Sequence, residues 1–231
     1  MEKRLVLQPR LQLLADLVPQ GARLADVGTD HGYVPVYLLQ NGRIAAAIAS
    51  DINALPLAHA RRTAEEYGVK EISFRLCAGL EKIAPDECDT ILIAGMGGET
   101  IIDILSAAPW TRGGGHTLLL QPQTKVEQLR TWLCEAGYEI TRERLVEDKG
   151  KLYVALCCTA GTLRTLSEEE AYSGVAMQGE ALYSKYLEMQ CKKLRLRAEG
   201  LRAGGREDPQ ICALVRALEQ KREDAQHADC G

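Results

Sequence analysis

A short apolar strand that runs directly into a turn with glycines and carboxylates, between Arg23 and Pro35, is the feature that most constrains the fold. A strand, a glycine turn and a helix start are typical of doubly wound α/β sheets, whose ligands bind beyond the carboxyl ends of the strands. Gly28 and Gly32 are separated by three residues, which is not the dinucleotide fingerprint. Asp26 and Asp30 would repel a pyrophosphate. They suit S-adenosylmethionine, whose reactive end carries an ammonium and a sulfonium and no phosphate.

A second apolar run, residues 44–50, is followed by Asp51-Ile52-Asn53. An acid at the tip of the second strand can accept hydrogen bonds from both ribose hydroxyls of a nucleoside cofactor, so Asp51 is the expected ribose ligand. Asp51 could instead cap the helix that follows, and the two roles are compatible.

Composition limits the class of protein. At 231 residues, with 46% apolar and 26% charged residues, the chain is long enough for one enzyme domain and an accessory element. Because it has neither an apolar run of about 20 residues nor a signal peptide, we expect a cytoplasmic protein without membrane contact. The eight cysteines form no C-x-x-C pair, which predicts reduced thiols and no metal site. The net charge of −4 restricts any nucleic-acid-binding surface to a local patch.

Strand-like and helical segments alternate, which predicts parallel βαβ units. The predicted elements are a helix over 3–17, strands 23–28 and 44–51, helices 34–41 and 55–67, strands 72–77 and 90–94, a helix over 99–107, a strand over 117–121 and a helix over 126–136. Two further strands, 138–147 and 151–159, are joined so closely that they must form an antiparallel hairpin. The prediction is a mostly parallel seven-stranded α/β sheet that ends in this hairpin, as in class I methyltransferases.

From Ser167 onward the pattern is helical throughout. A seam of apolar residues over 187–201 and a matching stripe over 211–218 predict a helical hairpin, separated from the sheet domain (1–161) as a second domain (162–231). Residues 185–206 contain seven basic and two acidic side chains. The basic side chains include Lys192, Lys193, Arg195 and Arg197. These charges are either a solvated helix face or a nucleic-acid-binding arm.

A third motif, residues 93–99, follows the fourth parallel strand and contains Gly95, Gly97 and Gly98. Glycines at the end of this strand let another ring approach the backbone closely, although they serve a tight turn equally well. Gln121 and Pro122 occupy the parallel position after the next strand. The amide of Gln121 could bind the edge of a base or cap the following turn.

Together these motifs resemble the TrmK-type tRNA (adenine-N1) methyltransferases, bacterial enzymes that methylate adenosine 22 in the D-arm of tRNA. The resemblance rests on residues 26–35, 93–98, 120–122 and 137–138 and on the C-terminal helices, and covers essentially the whole chain. It implies a Rossmann-like class I methyltransferase domain with a C-terminal coiled-coil hairpin, S-adenosylmethionine as cofactor and tRNA as partner. From the sequence itself we expect no metal and no obligate protein partner.

The predicted site residues fall into three groups: cofactor-binding, substrate-binding and catalytic. The expected cofactor-binding residues are Asp26, Gly28, Thr29, Gly32, Asp51, Ile52, Asn53, Ala78, Gly79, Leu80, Ala94, Gly95 and Met96. The expected substrate-binding residues are Gly97, Gly98, Gln121, Pro122, Lys192, Lys193, Arg195 and Arg197. The chain departs from the family at Ala78, where an aspartate is usual, and at Asp51, where a glutamate is usual.

Asp30, His31 and Tyr33 are the catalytic candidates. N1 of adenine carries no proton, so its lone pair can accept the methyl group without a general base, and positioning and electrostatics would account for catalysis. Asp30 would stabilise the positive charge that develops on the base. His31 could bridge or stack, or form only local hydrogen bonds, and Tyr33 could stack on the base or pack beneath the first helix.

Two other functions fit the same residues. A small-molecule methyltransferase would use the helical hairpin as a lid or dimer element. A non-catalytic RNA-binding protein could retain the S-adenosylmethionine fold, and Ala78 keeps this alternative open.

Overall fold

The structure is a computed structural model that describes residues 4–177 and 179–228. Its elements are α1 (Pro9–Leu17), β1 (Arg23–Val27), α2 (Tyr33–Gln40), β2 (Ala46–Asp51), α3 (Ala54–Glu66), β3 (Ile72–Leu76), β4 (Thr90–Gly97), α4 (Gly98–Ala107), a 3-10 turn (Pro109–Arg112), β5 (Thr117–Thr124), α5 (Val126–Glu135), β6 (Tyr138–Asp148), β7 (Lys151–Ala160), α6 (Glu168–Ser173), α7 (Tyr183–Ala203) and α8 (Pro209–Ala228). Within the described helices, none is both long and apolar enough to span a bilayer.

The seven strands form one sheet in the order β3-β2-β1-β4-β5-β7-β6. Strands β1 to β5 are parallel, and β7 pairs antiparallel with both β5 and β6. The register aligns Val27 of β1 with Ser50 of β2 and Ile93 of β4. The predicted sheet and hairpin are confirmed, and the carboxyl ends of β1, β2 and β4 lie side by side.

Apolar side chains cover both faces of the sheet. Ala25 and Val27 belong to a core cluster shared with α4, α5 and the C-terminal helices. Leu24 belongs to a second cluster, shared with α1 and α2. Because successive residues of a strand point to opposite faces, Asp26 lies on the α1 and α2 face.

The N-terminal helix is shorter than predicted. It begins at Pro9, whose fixed φ and missing N–H suit a first helical turn, and residues 4–8 are non-helical. Lys3, the predicted start, lies outside the described residues. We call residues 4–8 the N-terminal strap. The strap is anchored by Leu5, which is buried in a small cluster with α2 and α3 and donates its N–H to Gln40 Oε1 at 3.0 Å.

The C-terminal part contains the expected helical pair, α7 and α8, but it is not helical throughout. Helix α6 ends at Ser173 and α7 begins at Tyr183. Gly174 accounts for the break, since its φ of +97° disfavours other residues and a Cβ there would lie 2.8 Å from Glu143 Oε2. The helices share a core cluster with the sheet.

Candidate functional site

The turn after β1 is tied to β2 by its backbone. The N–H groups of Gly28 and Thr29 both donate to the carbonyl of Ser50, at 2.8 and 3.0 Å. Gly28 has a φ of +74°, a conformation that favours glycine. Because these two amides are already engaged, they are not available to a phosphate, which agrees with the exclusion of a dinucleotide site.

Asp26 is buried at the start of this turn. Burial raises the pKa of its carboxyl from 3.8 to about 6, with the Thr29 side chain opposing the shift and the charge of Asp51 adding to it. Nearby, Ser50 is fully buried and its hydroxyl has no hydrogen-bond partner among the described residues. The end of β1 and β2 therefore holds unsatisfied polar groups that a cationic or polyhydroxyl ligand would complement.

Asp51 lies half-buried at the end of β2. Its Oδ1 accepts a hydrogen bond from the N–H of Asn53 at 2.7 Å. The cap residue of α3 is Asn53 rather than Asp51, so the capping alternative does not describe Asp51. Ile52 is 68% exposed. Asp51 and Ile52 thus form an open edge that could receive a ribose.

A cavity of about 580 Å³ lies between the N-terminal strap, α1 and the turn after β1. Many of the predicted site residues line it: Asp26, Gly28, Thr29, Asp30, His31, Gly32, Tyr33, Ala94 and Gly95. We call this space the large cavity. Ala78, Gly79 and Leu80 line a second cavity, of about 320 Å³, with residues of α4 and the 3-10 turn. Residues 51–53 and Met96 line neither cavity.

Met96 lies over the glycine turn. A Cβ on Gly28 would come within 1.9 Å of Met96 Cε, so the absence of a side chain at Gly28 admits the methionine methyl group. Met96 also packs against the core cluster that includes Leu80 of the second cavity. The predicted cofactor residues are therefore divided between the two cavities, and Met96 reaches the Gly28 turn from β4.

Three aromatic rings form a stack at the wall of the large cavity. His31 is parallel to Tyr33 at 5.1 Å between ring centroids and to His59 at 4.9 Å. Asp30 is 79% exposed, with its Oδ1 3.6 Å from His31 Nε2. His59, which α3 supplies, is not among the residues predicted from the sequence.

Asp30, His31 and His59 are also close enough to be considered as metal ligands. Their ligand atoms all lie within 4.8 Å of one another. Imidazole nitrogens ligate in the plane of the ring, and the two rings are parallel to within 8°. One ring would have to turn before both histidines could bind one ion.

The predicted substrate-binding residues after β4 and β5 belong to longer elements than predicted, because β4 extends to Gly97, α4 begins at Gly98 and β5 extends to Thr124. A Cβ on Gly98 would lie 2.6 Å from the Lys125 carbonyl oxygen, so Gly98 allows the backbone before α5 to pack closely. Gly97 ends β4, beside Thr124. Gln121 and Pro122 are buried within β5, and Gln121 Oε1 accepts a hydrogen bond from Arg10 Nη1 at 2.8 Å.

The four predicted basic residues of α7 are exposed, but they do not form one free surface. Lys193 is 3.0 Å from Glu127 of α5, and Arg195 pairs with Glu219 of α8. Among the described residues, neither Lys192 nor Arg197 has an acidic group within ion-pair distance. The local positive charge is therefore partly neutralised inside the molecule.

Comparisons with known proteins give consistent results. A family described as "Methyltransferase domain" matches residues 7–156. The tRNA (adenine(22)-N(1))-methyltransferase of Bacillus subtilis is 38% identical over 184 residues, covering 79% of this chain and 75% of that protein. The crystal structure of the B. subtilis M1A22 tRNA methyltransferase TrmK is 32% identical with a TM-score of 0.78, covering 95% of this chain and 97% of that one. A Streptococcus pneumoniae candidate tRNA (m1A22) methyltransferase, solved with S-adenosyl-L-methionine, is 31% identical with a TM-score of 0.80, covering 91% and 97%.

Proposed function

Because the chain belongs to the methyltransferase-domain family and, within it, to the tRNA (adenine(22)-N1)-methyltransferases, we propose that it transfers a methyl group from S-adenosylmethionine to N1 of adenosine 22 in tRNA. The observation that carries the proposal is the large cavity, where Asp26 and Asp30 lie with a stack of aromatic rings at the carboxyl end of β1. We place the activity in the cytoplasm, where tRNA is modified.

The residues present fit S-adenosylmethionine. Asp26 suits its cationic end, and Asp51 keeps an oxygen for the ribose hydroxyls. Ala78–Leu80 offer small and apolar side chains to the adenine. Because Met96 Cε occupies the space above Gly28, on the turn that we expect to face the cofactor, we propose that the Met96 side chain reorients when the cofactor binds.

S-adenosylmethionine supplies a methyl group activated by its bond to a sulfonium. As the bond from this methyl group to adenine N1 forms and the carbon–sulfur bond breaks, positive charge passes to the adenine ring. Asp30 stabilises that charge, and the ring of Tyr33, which is 38% exposed, holds the base by stacking. His31 is held between Tyr33 and His59 and fixes the position of the Tyr33 ring.

The substrate base lies within a folded RNA, so it must leave its stack to enter the large cavity. We propose that α7 and α8 hold the rest of the tRNA, and that residues 162–231 form the RNA-binding domain. Exposed Lys192 and Arg197 are the side chains of α7 best placed to contact phosphates, since they have no acidic partner among the described residues.

The proposed function is tested by methyl transfer from isotopically labelled S-adenosylmethionine to unmodified tRNA, with free adenosine and a mixture of small metabolites as parallel acceptors. We expect label in tRNA alone. Label in small molecules without stimulation by tRNA would identify a small-molecule methyltransferase. Binding of tRNA without any transfer would identify a non-catalytic RNA-binding protein.

A further inference from the structure

We propose that the turn of the β6–β7 hairpin is a phosphate-binding surface for tRNA, at which Lys149 and Lys151 contact the RNA backbone between the large cavity and α7. The proposal rests on the proposed function, because tRNA is the polyanion that the proposed reaction requires. We call residues 148–151 the hairpin tip. The hairpin tip lines neither the large cavity nor the second cavity, and its lysines are not among the predicted site residues.

The pairing of β7 places the hairpin tip at the edge of the sheet where the site lies. Strand β7 runs antiparallel to β5, with Leu118 paired to Cys158 and Leu120 paired to Leu156. As β5 runs toward its carboxyl end, its partners on β7 therefore run back toward Lys151. The hairpin tip extends beyond the carboxyl end of β5, at the same edge as the carboxyl ends of β1 and β4.

Lys151 also lies on the face of the sheet that carries the large cavity. Ala155 and Cys157 of β7 pack in the cluster shared with α1 and α2. The Tyr153 ring lies on this face too, with its centroid 5.4 Å from the guanidinium carbon of Arg10 in α1. Because side chains alternate along a strand, Lys151 points the same way. It is exposed and lies two residues, or about 7 Å of strand, beyond Tyr153.

Lys149 has a backbone conformation that favours other residue types. Its φ is +51° and that of Gly150 is +74°, and the flanking Asp148 and Lys151 are paired. Positive φ at both central residues of a two-residue loop is typical of a type I′ turn. Such turns prefer asparagine, aspartate or glycine at the first central position, and a lysine there costs backbone energy. The turn itself does not select this lysine, which points to a role for its charge.

A second lysine shows how the charge at such a position can be satisfied within the molecule. Among the described residues, Lys125 is the only other non-glycine residue with a positive φ, and its ammonium group binds Glu99. In the same part of the chain, neither Lys149 nor Lys151 has an acidic group within ion-pair distance, and the neighbouring Asp148 is buried. Both exposed ammonium groups are therefore available to an external anion.

The hairpin tip also adjoins α7. Lys185, in the first turn of α7, binds Glu147 of β6 at 2.6 Å, directly before the tip. Seven residues farther along the helix, or about 10 Å, Lys192 is exposed and has no acidic partner among the described residues. An RNA that extends from α7 to the large cavity would pass the hairpin tip.

The composition of the hairpin tip favours an RNA over a protein partner. Two cations flank one glycine, and none of the large apolar side chains exposed in the described part of the chain lies on the tip. Protein interfaces depend on apolar and aromatic side chains that become buried at their centre. Lysine ammonium groups suit phosphates, and such contacts position a nucleic acid without reading its sequence.

The test measures binding of unmodified tRNA at several salt concentrations for wild type, Lys149→Asn, Lys151→Ala and the double variant. Lys70→Ala is the matched control, because Lys70 is an exposed lysine at the opposite edge of the sheet, before β3. Each single tip variant should lower the salt dependence by about 0.9 logarithmic units per logarithmic unit of salt and weaken binding about fivefold at 0.15 M salt. The double variant should show twice the change in slope, and Lys70→Ala little change.

Two further measurements separate this role from a structural one. Asparagine suits a positive φ, so Lys149→Asn should melt at or above the wild-type temperature while it binds tRNA more weakly. Lys149→Arg, which keeps the charge, should bind tRNA like wild type. The affinity for S-adenosylmethionine, measured by calorimetry, should be the same in every tip variant, because the hairpin tip lines neither cavity.

The contrary outcomes are distinct. A double variant with the tRNA affinity and salt slope of wild type would overturn the proposal, and so would an equal loss in Lys70→Ala, which would mean that only net charge matters. Unchanged tRNA binding with a change of oligomeric state would make the tip an interface between copies of the chain, which also overturns it. A wild-type protein that binds tRNA without methylating it would contradict the proposed function, while tRNA binding would still test the hairpin tip.

Discussion

Asp26 and Asp30 lie four positions apart on one turn, but their surroundings differ. Asp26 is 8% exposed and on the core side of the turn, whereas the side chain of Asp30 is 79% exposed. A buried carboxyl loses hydration and its ionised form is destabilised, so it gains most from a permanent cation beside it. An exposed carboxylate can act on charge that appears during the reaction. We therefore propose that Asp26 binds the cofactor and that Asp30 acts in the chemical step.

Asp30→Asn should retain the affinity for cofactor and tRNA and lose about a hundredfold in single-turnover rate, because the amide keeps the shape but not the charge. Rapid-quench measurement with saturating tRNA gives this rate directly. A single-turnover rate equal to that of wild type would remove the electrostatic role of Asp30.

The affinity for S-adenosylmethionine should depend on pH through Asp26. Since the pKa of Asp26 is about 6 without ligand, affinity should increase by up to about tenfold per pH unit below pH 6 and level off above it. Calorimetry from pH 5 to 8 checks this, with Asp26→Asn expected to be flat. Asp51→Ala is the matched control, which should bind more weakly at every pH and keep a pH dependence that is shifted to lower pH, because the charge of Asp51 helps to raise the pKa of Asp26. A pH-independent wild type would separate Asp26 from the cofactor.

The raised pKa of Asp26 has the opposite pH dependence for folding stability: its contribution falls as pH rises, whereas cofactor affinity increases. Between the ordinary value of 3.8 and about 6, the folded protein retains a proton on Asp26 that the unfolded chain has released. The contribution of Asp26 to the free energy of unfolding is therefore fully present below pH 3.8 and is lost as pH rises through about 6.

At the scale of the elements, the features best predicted from the sequence are those formed by consecutive residues. The strand, turn and acids of residues 23–30 and the hairpin that ends the sheet follow from local pattern. Arg10 and His59 could not be found in this way, because Arg10 reaches the large cavity from α1 and His59 stacks on His31 from α3, and only the fold brings them to the turn. A proline at position 9 was the local signal for the later start of α1.

Helix α7 shows why a count of basic residues overestimates the surface available to nucleic acid. Lys193 and Arg195 are basic residues by sequence, but each is paired with a glutamate on a different neighbouring helix. Such pairs depend on how helices pack, which the local sequence does not show. The helical pair itself was predictable from its apolar spacing.

Lys192→Ala and Lys193→Ala form a matched pair of neighbouring substitutions. Lys192→Ala should weaken tRNA binding and lower its salt dependence by about one logarithmic unit per logarithmic unit of salt, as for one lost phosphate contact. Lys193→Ala should have a smaller effect, because Glu127 already binds its ammonium group. Binding isotherms at several salt concentrations provide the test, and equal slopes for the two variants would refute the distinction.

At the scale of the whole molecule, the C-terminal helices are joined to the sheet by more than a linker. The fully buried Arg130 of α5 pairs with Glu143 of β6 and donates to the Ala171 carbonyl and the Tyr186 hydroxyl. Removing one partner of such a network leaves a buried charge uncompensated. This shared core holds the base of α7 and α8 in a fixed relation to the sheet, and so to the large cavity.

The central claim, N1 methylation of one adenosine of tRNA, is tested most directly by mapping reverse-transcription stops on tRNA incubated with the protein and S-adenosylmethionine, because a methyl group on N1 blocks Watson–Crick pairing. We expect one new stop, at adenosine 22, which depends on the cofactor and disappears when that adenosine is replaced by guanosine. Methyl transfer to tRNA without a stop, or with a stop that persists after the replacement, would contradict the claim.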